Sequence, residues 1–133
     1  LAVGEGVREF RVGDRVASNG PHAGVVAVGK NLVAKIPDDV PFEHAAYGVV
    51  ASIALQGVRL SGATLGDVVV VVGLGLIGQI TIALLRSAGC RVVGTDVDPN
   101  KFALASTMGA EAVGSAAAIH EMLSRLSPSG GAD

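Results

Sequence analysis

Val68-Val69-Val70-Val71-Val72-Gly73-Leu74-Gly75-Leu76-Ile77-Gly78 changes character halfway. Five consecutive β-branched residues with no polar alternation predict a strand covered on both faces, as in a parallel sheet. The residues that follow spell G-x-G-x-x-G. In a chain with 19 glycines among 133 residues, such spacing also arises by chance. Here it leaves a strand and opens a helix, and Asp96 ends the next predicted strand, 23 residues after Gly73. That is the dinucleotide-binding context, and each part has a mechanical reason. Gly73 permits the tight turn. Gly75, lacking a Cβ, lets a pyrophosphate approach the backbone, and Gly78 lets the helix pack on the strand. The free amides and positive dipole end of a helix starting at Leu76 and Ile77 favour phosphate charge. Asp96 can accept hydrogen bonds from adenosine ribose hydroxyls, and its charge repels a 2′-phosphate. No Arg follows it, the next residues being Val97, Asp98 and Pro99. NAD is therefore favoured over NADP. The plainer readings are a strand–helix turn shaped by packing alone and a solvated aspartate.

The pattern continues downstream. A helix is predicted over Leu76–Ala88, with Ile77, Ile80, Leu84 and Ala88 as its inner stripe and Gly89 as its stop. Arg91–Thr95 reads as a second strand. Asp98 caps a helix with Pro99 at its first position and Phe102, Ala105 and Met108 facing inward, and Gly109 ends it. Glu111–Val113 is a short third strand. Ser115 is expected to cap a last helix with Ile119, Met122, Leu123 and Leu126 on one face. The order βαβαβα implies right-handed crossovers and a parallel sheet, hence an α/β fold: half of a doubly wound Rossmann sheet. Half a sheet implies a piece of a longer protein. It also implies an open apolar edge at Val68–Val72, which predicts self-association into a homo-oligomer.

Upstream the signals are β-rich. Val7, Phe10, Val12 and Val16 surround the turn Gly13-Asp14, and Gly24–Val28 and Leu32–Ile36 flank Gly29-Lys30-Asn31 like a hairpin. Pro41 is placed at the first position of a short helix, with Glu43 in its first turn. A second helix covers Val49–Arg59.

Composition narrows the function. Ten Lys and Arg against 12 Asp and Glu give a net charge of −2, which argues against a nucleic-acid partner. One cysteine, Cys90, excludes a disulfide framework and a multi-cysteine zinc site, and reads as a small buried hydrophobe. The uncharged run Val68–Leu85 imitates a membrane span, but its glycines, Gln79 and Thr81 fit a strand entering a helix. No secretory leader is visible at the start, so a cytoplasmic location is expected. His22, His44 and His120 are scattered, and no metal is assigned to them.

Taken together, several segments resemble the medium-chain dehydrogenase/reductase family, the zinc-type alcohol dehydrogenase-like enzymes. They are Val12-Gly13-Asp14-Arg15-Val16, Asn31-Leu32-Val33-Ala34-Lys35-Ile36-Pro37 and Phe42-Glu43-His44-Ala45-Ala46. The stretch from Leu65-Gly66-Asp67 through the glycine run to Asp96-Val97-Asp98-Pro99-Asn100-Lys101, with Met108-Gly109-Ala110, completes the set. Ala54-Leu55-Gln56-Gly57-Val58-Arg59 is similar to bacterial two-module oxidoreductases of this kind. The resemblance implies that residues 1–49 are the end of a GroES-like catalytic domain and residues 50–133 part of the dinucleotide-binding domain. It implies that Lys101 reaches the adenosine ribose beside Asp96 and Val97, and that Ser52 lies near the nicotinamide, although a serine bonded to its own helix backbone is the simpler role for Ser52. The family's metal ligands find no match here, Gly48 falling where a third ligand is expected. No catalytic residue is assigned. The expected function is the cofactor-binding part of an oxidoreductase that moves hydride between nicotinamide and an alcohol or carbonyl substrate, inactive by itself. The alternative is a nucleotide-sensing module without chemistry.

Overall fold

The computed structural model describes all residues from Leu1 to Asp133. The chain forms two compact units, Leu1–Val49 and Val50–Asp133.

In the first unit, β1 (Val16–Ser18) and β2 (Val33–Lys35) pair antiparallel, Ala17 opposite Ala34. This corrects the expected hairpin. Gly24–Val28 forms no strand, and Lys30–Leu32 is a 3-10 turn leading into β2. The true partner of the second apolar run is the segment after Gly13-Asp14, because Arg15 fixes it there. Its guanidinium donates to the carbonyls of Pro37, Asp38 and Val40 and lies 4.5 Å from the centre of the Phe42 ring. Lys35 pairs with Asp14 at 2.8 Å. A four-residue helix, α1 (Phe42–Ala45), follows, with Pro41 at its N-cap, one place earlier than expected. The longer α2 (Gly48–Ser61) runs from the end of this unit into the next.

The second unit is the expected alternation. β3 (Val68–Val72), β4 (Arg91–Thr95) and β5 (Ala112–Gly114) form a parallel sheet in the order β3-β4-β5. α3 (Leu76–Ser87) connects the first two, α4 (Phe102–Met108) the next two, and α5 (Ile119–Leu126) follows β5. Helices α3 and α4 cover one face. Ile82, Leu85, Cys90, Val92 and Ala105 are buried there, with Val71 and Leu74 in the same cluster. On the other face Met122 and Leu123 of α5 meet Val68 and Val93. Val92 and Val93 point to opposite faces of the middle strand and both are fully enclosed. That explains the valine-rich, non-alternating composition.

Helix ends follow the glycine signals. Gly89 (φ +85°) and Gly109 (φ +113°) take left-handed backbone, and the paired bonds Cys90 N–H to Leu85 O and Gly89 N–H to Arg86 O close α3. Asp98 caps the 3-10 turn Pro99–Lys101 through the Asn100 amide. Ser115 does not cap with its side chain. Only its carbonyl closes the 3-10 turn Ala116–Ala118 that precedes α5. The third strand lies one residue later than its expected span. Cys90 is buried, its thiol 3.3 Å from the Thr64 carbonyl, and burial, with Asp67 nearby, raises its pKa.

The inner face of α3 also differs from expectation. Gln79, Ile82 and Leu85 point inward, whereas Ile77 is 46% exposed and Ala88 lies on the surface. A helix apolar on nearly every side carries no stripe to orient it. Its rotation is set instead by Gly78, which packs against the preceding turn. No helix is long and apolar enough to cross a membrane.

At the sheet's open side, the Asp133 amide donates to the Val68 carbonyl and its carboxylate accepts from the Val68 amide. Beyond that pair, β3 has β4 as its only strand neighbour. The rotation of α3 is testable by urea unfolding. Ile82→Ala should cost about 2–5 kcal/mol, the range for emptying a packed isoleucine site. Ile77→Ala should stay within about 1 kcal/mol, as for a partly exposed side chain.

Candidate functional site

β3 and β4 run in parallel register from Val68 opposite Arg91 to Val72 opposite Thr95, so the residues leaving them, Gly73 and Asp96, emerge side by side. The Gly73 amide donates to the Thr95 carbonyl at 2.8 Å, extending the ladder by one bond. Gly73 then turns with φ +91°, a conformation that L side chains rarely adopt. Leu74 drops its side chain into the core, where it lies against Gly94. A Cβ on Gly78 would fall 1.9 Å from the Gly73 carbonyl oxygen and 3.7 Å from a Val71 methyl, so only glycine fits. Gly75 is the opposite case. A Cβ there meets nothing within 4 Å, and its backbone is ordinary extended chain. The first glycine makes the turn, the third clears the helix start, and the second faces open space.

That open space is a cavity of about 790 Å³, lined in part by Val72, Gly73, Gly75, Leu76, Ile77 and Gly78. The free flank of β3 and residues of α2 and α3 complete its walls. α3 begins here with Gly75 as N-cap and no side-chain cap. The first-turn amides of Leu76, Ile77 and Gly78 are therefore left to an external acceptor, which the helix dipole favours when anionic. No acidic residue occupies that turn.

Asp96 sits beside this turn. Its carboxylate accepts from the Leu74 amide at 2.7 Å and the Asp98 amide at 2.8 Å, and from the Lys101 ammonium at 3.1 Å to each oxygen. The Asp98 amide first, then Leu74, then Lys101 hold its pKa down from an ordinary 3.8 to about 2. It is anionic at every physiological pH. Val97, next in the chain, is almost fully exposed. The structure thus brings together Gly73, Leu74, Gly75, Leu76, Ile77, Gly78, Asp96, Val97 and Lys101. It does not bring Ser52 to them, for Ser52 is exposed on α2 and is not part of the cavity lining. Leu74 lies at the site without facing it, its amide held by Asp96 and its side chain in the core.

One buried residue beside the glycine motif also belongs to this constellation. Gln79, only 6% exposed, donates from its side-chain amide to the Leu74 carbonyl at 3.1 Å and to the Lys101 carbonyl at 3.3 Å. The available signal was a lone amide on the inward path of an apolar helix, one residue past the third glycine. No three His, Cys, Asp or Glu side chains gather as metal ligands, and His22, His44 and His120 are all exposed.

No protein-family model matches the chain. It is 38% identical over 115 residues to D-guloside 3-dehydrogenase of Escherichia coli, covering 84% of this chain and 33% of that enzyme. Its fold superposes on 2R,3R-butanediol dehydrogenase of Bacillus subtilis with a TM-score of 0.79 at 27% identity, over 94% of this chain and 45% of the other. The chain is a homologue of the medium-chain dehydrogenase/reductases. Quinone oxidoreductase of Thermus thermophilus, whose structures include a complex with NADPH, matches 81% of this chain and 36% of its own at TM-score 0.70 and 29% identity. The chain thus spans about a third of the guloside dehydrogenase's length. Its parallel sheet corresponds to the Rossmann half of these medium-chain dehydrogenases.

Two measurements test the local geometry. Gly78→Ala should destabilise the chain by about 1–3 kcal/mol, the cost of overfilling a tight contact. Gly75→Ala should change stability by less than about 1 kcal/mol. Because folding lowers the Asp96 pKa, its stabilising contribution is complete above about pH 4 and is lost as pH falls through about 2. The melting-temperature gap between wild type and Asp96→Asn should stay level from about pH 7 to 5 and close towards pH 2.

Proposed function

We propose that this chain holds the adenosine diphosphate end of a nicotinamide dinucleotide for an oxidoreductase that moves hydride between nicotinamide and an alcohol or carbonyl carbon. The observation that carries the reading is the bond from the Leu74 amide to Asp96, which joins the phosphate-facing turn to an anionic carboxylate at 2.7 Å. The ribose and the pyrophosphate of one adenosine diphosphate are covalently joined, so a ligand of this class calls for a carboxylate and a phosphate-binding turn on neighbouring strand ends, as Asp96 and the glycine turn are. The nicotinamide, when bound, supplies the hydride chemistry. The chain's own residues bind and orient. Gly75 leaves room for the pyrophosphate, the amides of Leu76 and Ile77 receive its charge, and Asp96 accepts from the ribose diol. Lys101 lies over the same carboxylate and has to share it with the sugar.

The choice of NAD over NADP rests on Asp96 staying ionised beside the sugar's 2′ position. Lys101 offsets part of that charge, so the preference is moderate. The unit Leu1–Val49 takes, in this proposal, the place of the end of the GroES-like catalytic domain. The side chains of this chain do not fit a catalytic zinc, because no ligand group assembles. The reading therefore assigns binding to the chain and no catalytic residue.

Titration with NADH, followed by nicotinamide fluorescence, tests the reading. Saturable binding is expected, weakened about tenfold or more by Gly75→Ala, equivalent to ~1.4 kcal/mol of lost contact. NADPH should bind more weakly than NADH, and Asp96→Ser should narrow the difference. Absence of saturable binding up to millimolar NADH would remove the proposal.

A further inference from the structure

The glycine turn and the Asp98–Lys101 turn belong to different strand–helix connections, yet four polar contacts tie them into a closed ring. Asp96 holds the Leu74 amide on one side and the Lys101 ammonium on the other. Gln79 holds the Leu74 carbonyl on one side and the Lys101 carbonyl on the other. Leu74 is thus gripped at both ends of its backbone, and Lys101 at its backbone and its side-chain tip. The Gln79 amide has no freedom in this arrangement. Both neighbours are acceptors, so the –NH2 must face them, and a flipped amide would set oxygen against oxygen. The other end of the amide, Oε1, is enclosed with no partner. A buried acceptor without a donor lowers stability. A leucine or methionine on this otherwise apolar inner face of α3 would serve packing better. What an apolar residue cannot do is donate two hydrogen bonds to two carbonyls on separate turns.

We propose that Gln79 is a positioning residue. It fixes the distance between the phosphate-facing turn and the Asp96–Lys101 pair, so that one ligand can engage both. This inference rests on the dinucleotide reading and adds to it a residue outside the glycine motif. It predicts a specific pattern of loss. A ligand that touches only the Asp96 side does not sense the spacing, whereas a ligand that spans both sides does, because its second contact is made at an effective concentration set by that spacing.

Adenosine and ADP separate the two cases, and both are titrated by NMR against the full chain, wild type and Gln79→Met. In the variant, ADP affinity should fall about tenfold while adenosine affinity stays within about twofold, the ratio reporting the lost coupling. Parallel loss of both ligands, or no loss of either, overturns the proposal. Should Gln79→Met fail to fold, Gln79→Asn retains a donor but is one methylene too short to reach both carbonyls, and the same split is expected. Independently, the two side-chain amide protons of Gln79 in the wild-type chain should be protected from hydrogen exchange. Exchange at the solvent rate overturns the brace directly. If the dinucleotide reading itself is wrong, the result differs: wild-type chain fails to bind ADP, or binds it without sensitivity to Gly75→Ala.

Discussion

Between Gly78 and the carbonyl of Gly73 there is no room for a β-carbon, and the arrangement of the second unit follows from that contact. Because α3 starts so close to the end of β3, its first-turn amides open over the strand's free flank instead of over the core. Because Gly78 sets the rotation of the helix, Ile82 and Leu85 go inward, Ile77 is left lining the cavity, and Gln79 is carried into the interior. Because the turn is this tight, Leu74 is driven into the core and its amide meets Asp96 at the end of the neighbouring strand. Packing and site are here the same geometry.

The polar groups divide by task. Asp96 is held anionic mainly by two backbone amides, so its charge does not depend on Lys101 alone. Lys101 can therefore move without neutralising the carboxylate, as the proposed sharing of Asp96 with a sugar would require. Gln79 bonds only to main-chain carbonyls, so its grip on the two turns is indifferent to the side chains that face a ligand. The exposed pieces, Gly75, Leu76, Ile77 and Val97, carry no partner-seeking side chain of their own. They present backbone and apolar surface.

Much of this was legible in the residues. The all-valine strand, the glycine spacing and an aspartate at the next strand's end specify three parallel strands and place Asp96 beside the turn, because parallel register fixes which strand ends are neighbours. The helix stops at Gly89 and Gly109 were equally readable, since left-handed backbone has few tenants. What could not be read depended on contacts distant in sequence. The pairing of β1 with β2 is decided by Arg15 reaching three carbonyls more than 20 residues away, and no local turn signal reports that. The rotation of α3 was hidden because an apolar helix offers several equivalent stripes. Ser115 has the residue type of a cap, yet its side chain makes no capping bond. Gln79 read as an interruption in an apolar run because its two partners are carbonyls, which every residue has.

The likeness to medium-chain dehydrogenases covers the parallel sheet that carries the glycine turn, and the dinucleotide proposal rests on the geometry of that turn. The most direct test is to follow every backbone amide of the chain by NMR while NADH is added. The account predicts that the largest shifts fall on Gly75, Leu76 and Ile77, with a second group at Asp96 and Val97, and that they saturate together. Saturating shifts centred elsewhere, with the amides of the glycine turn unmoved, would contradict it.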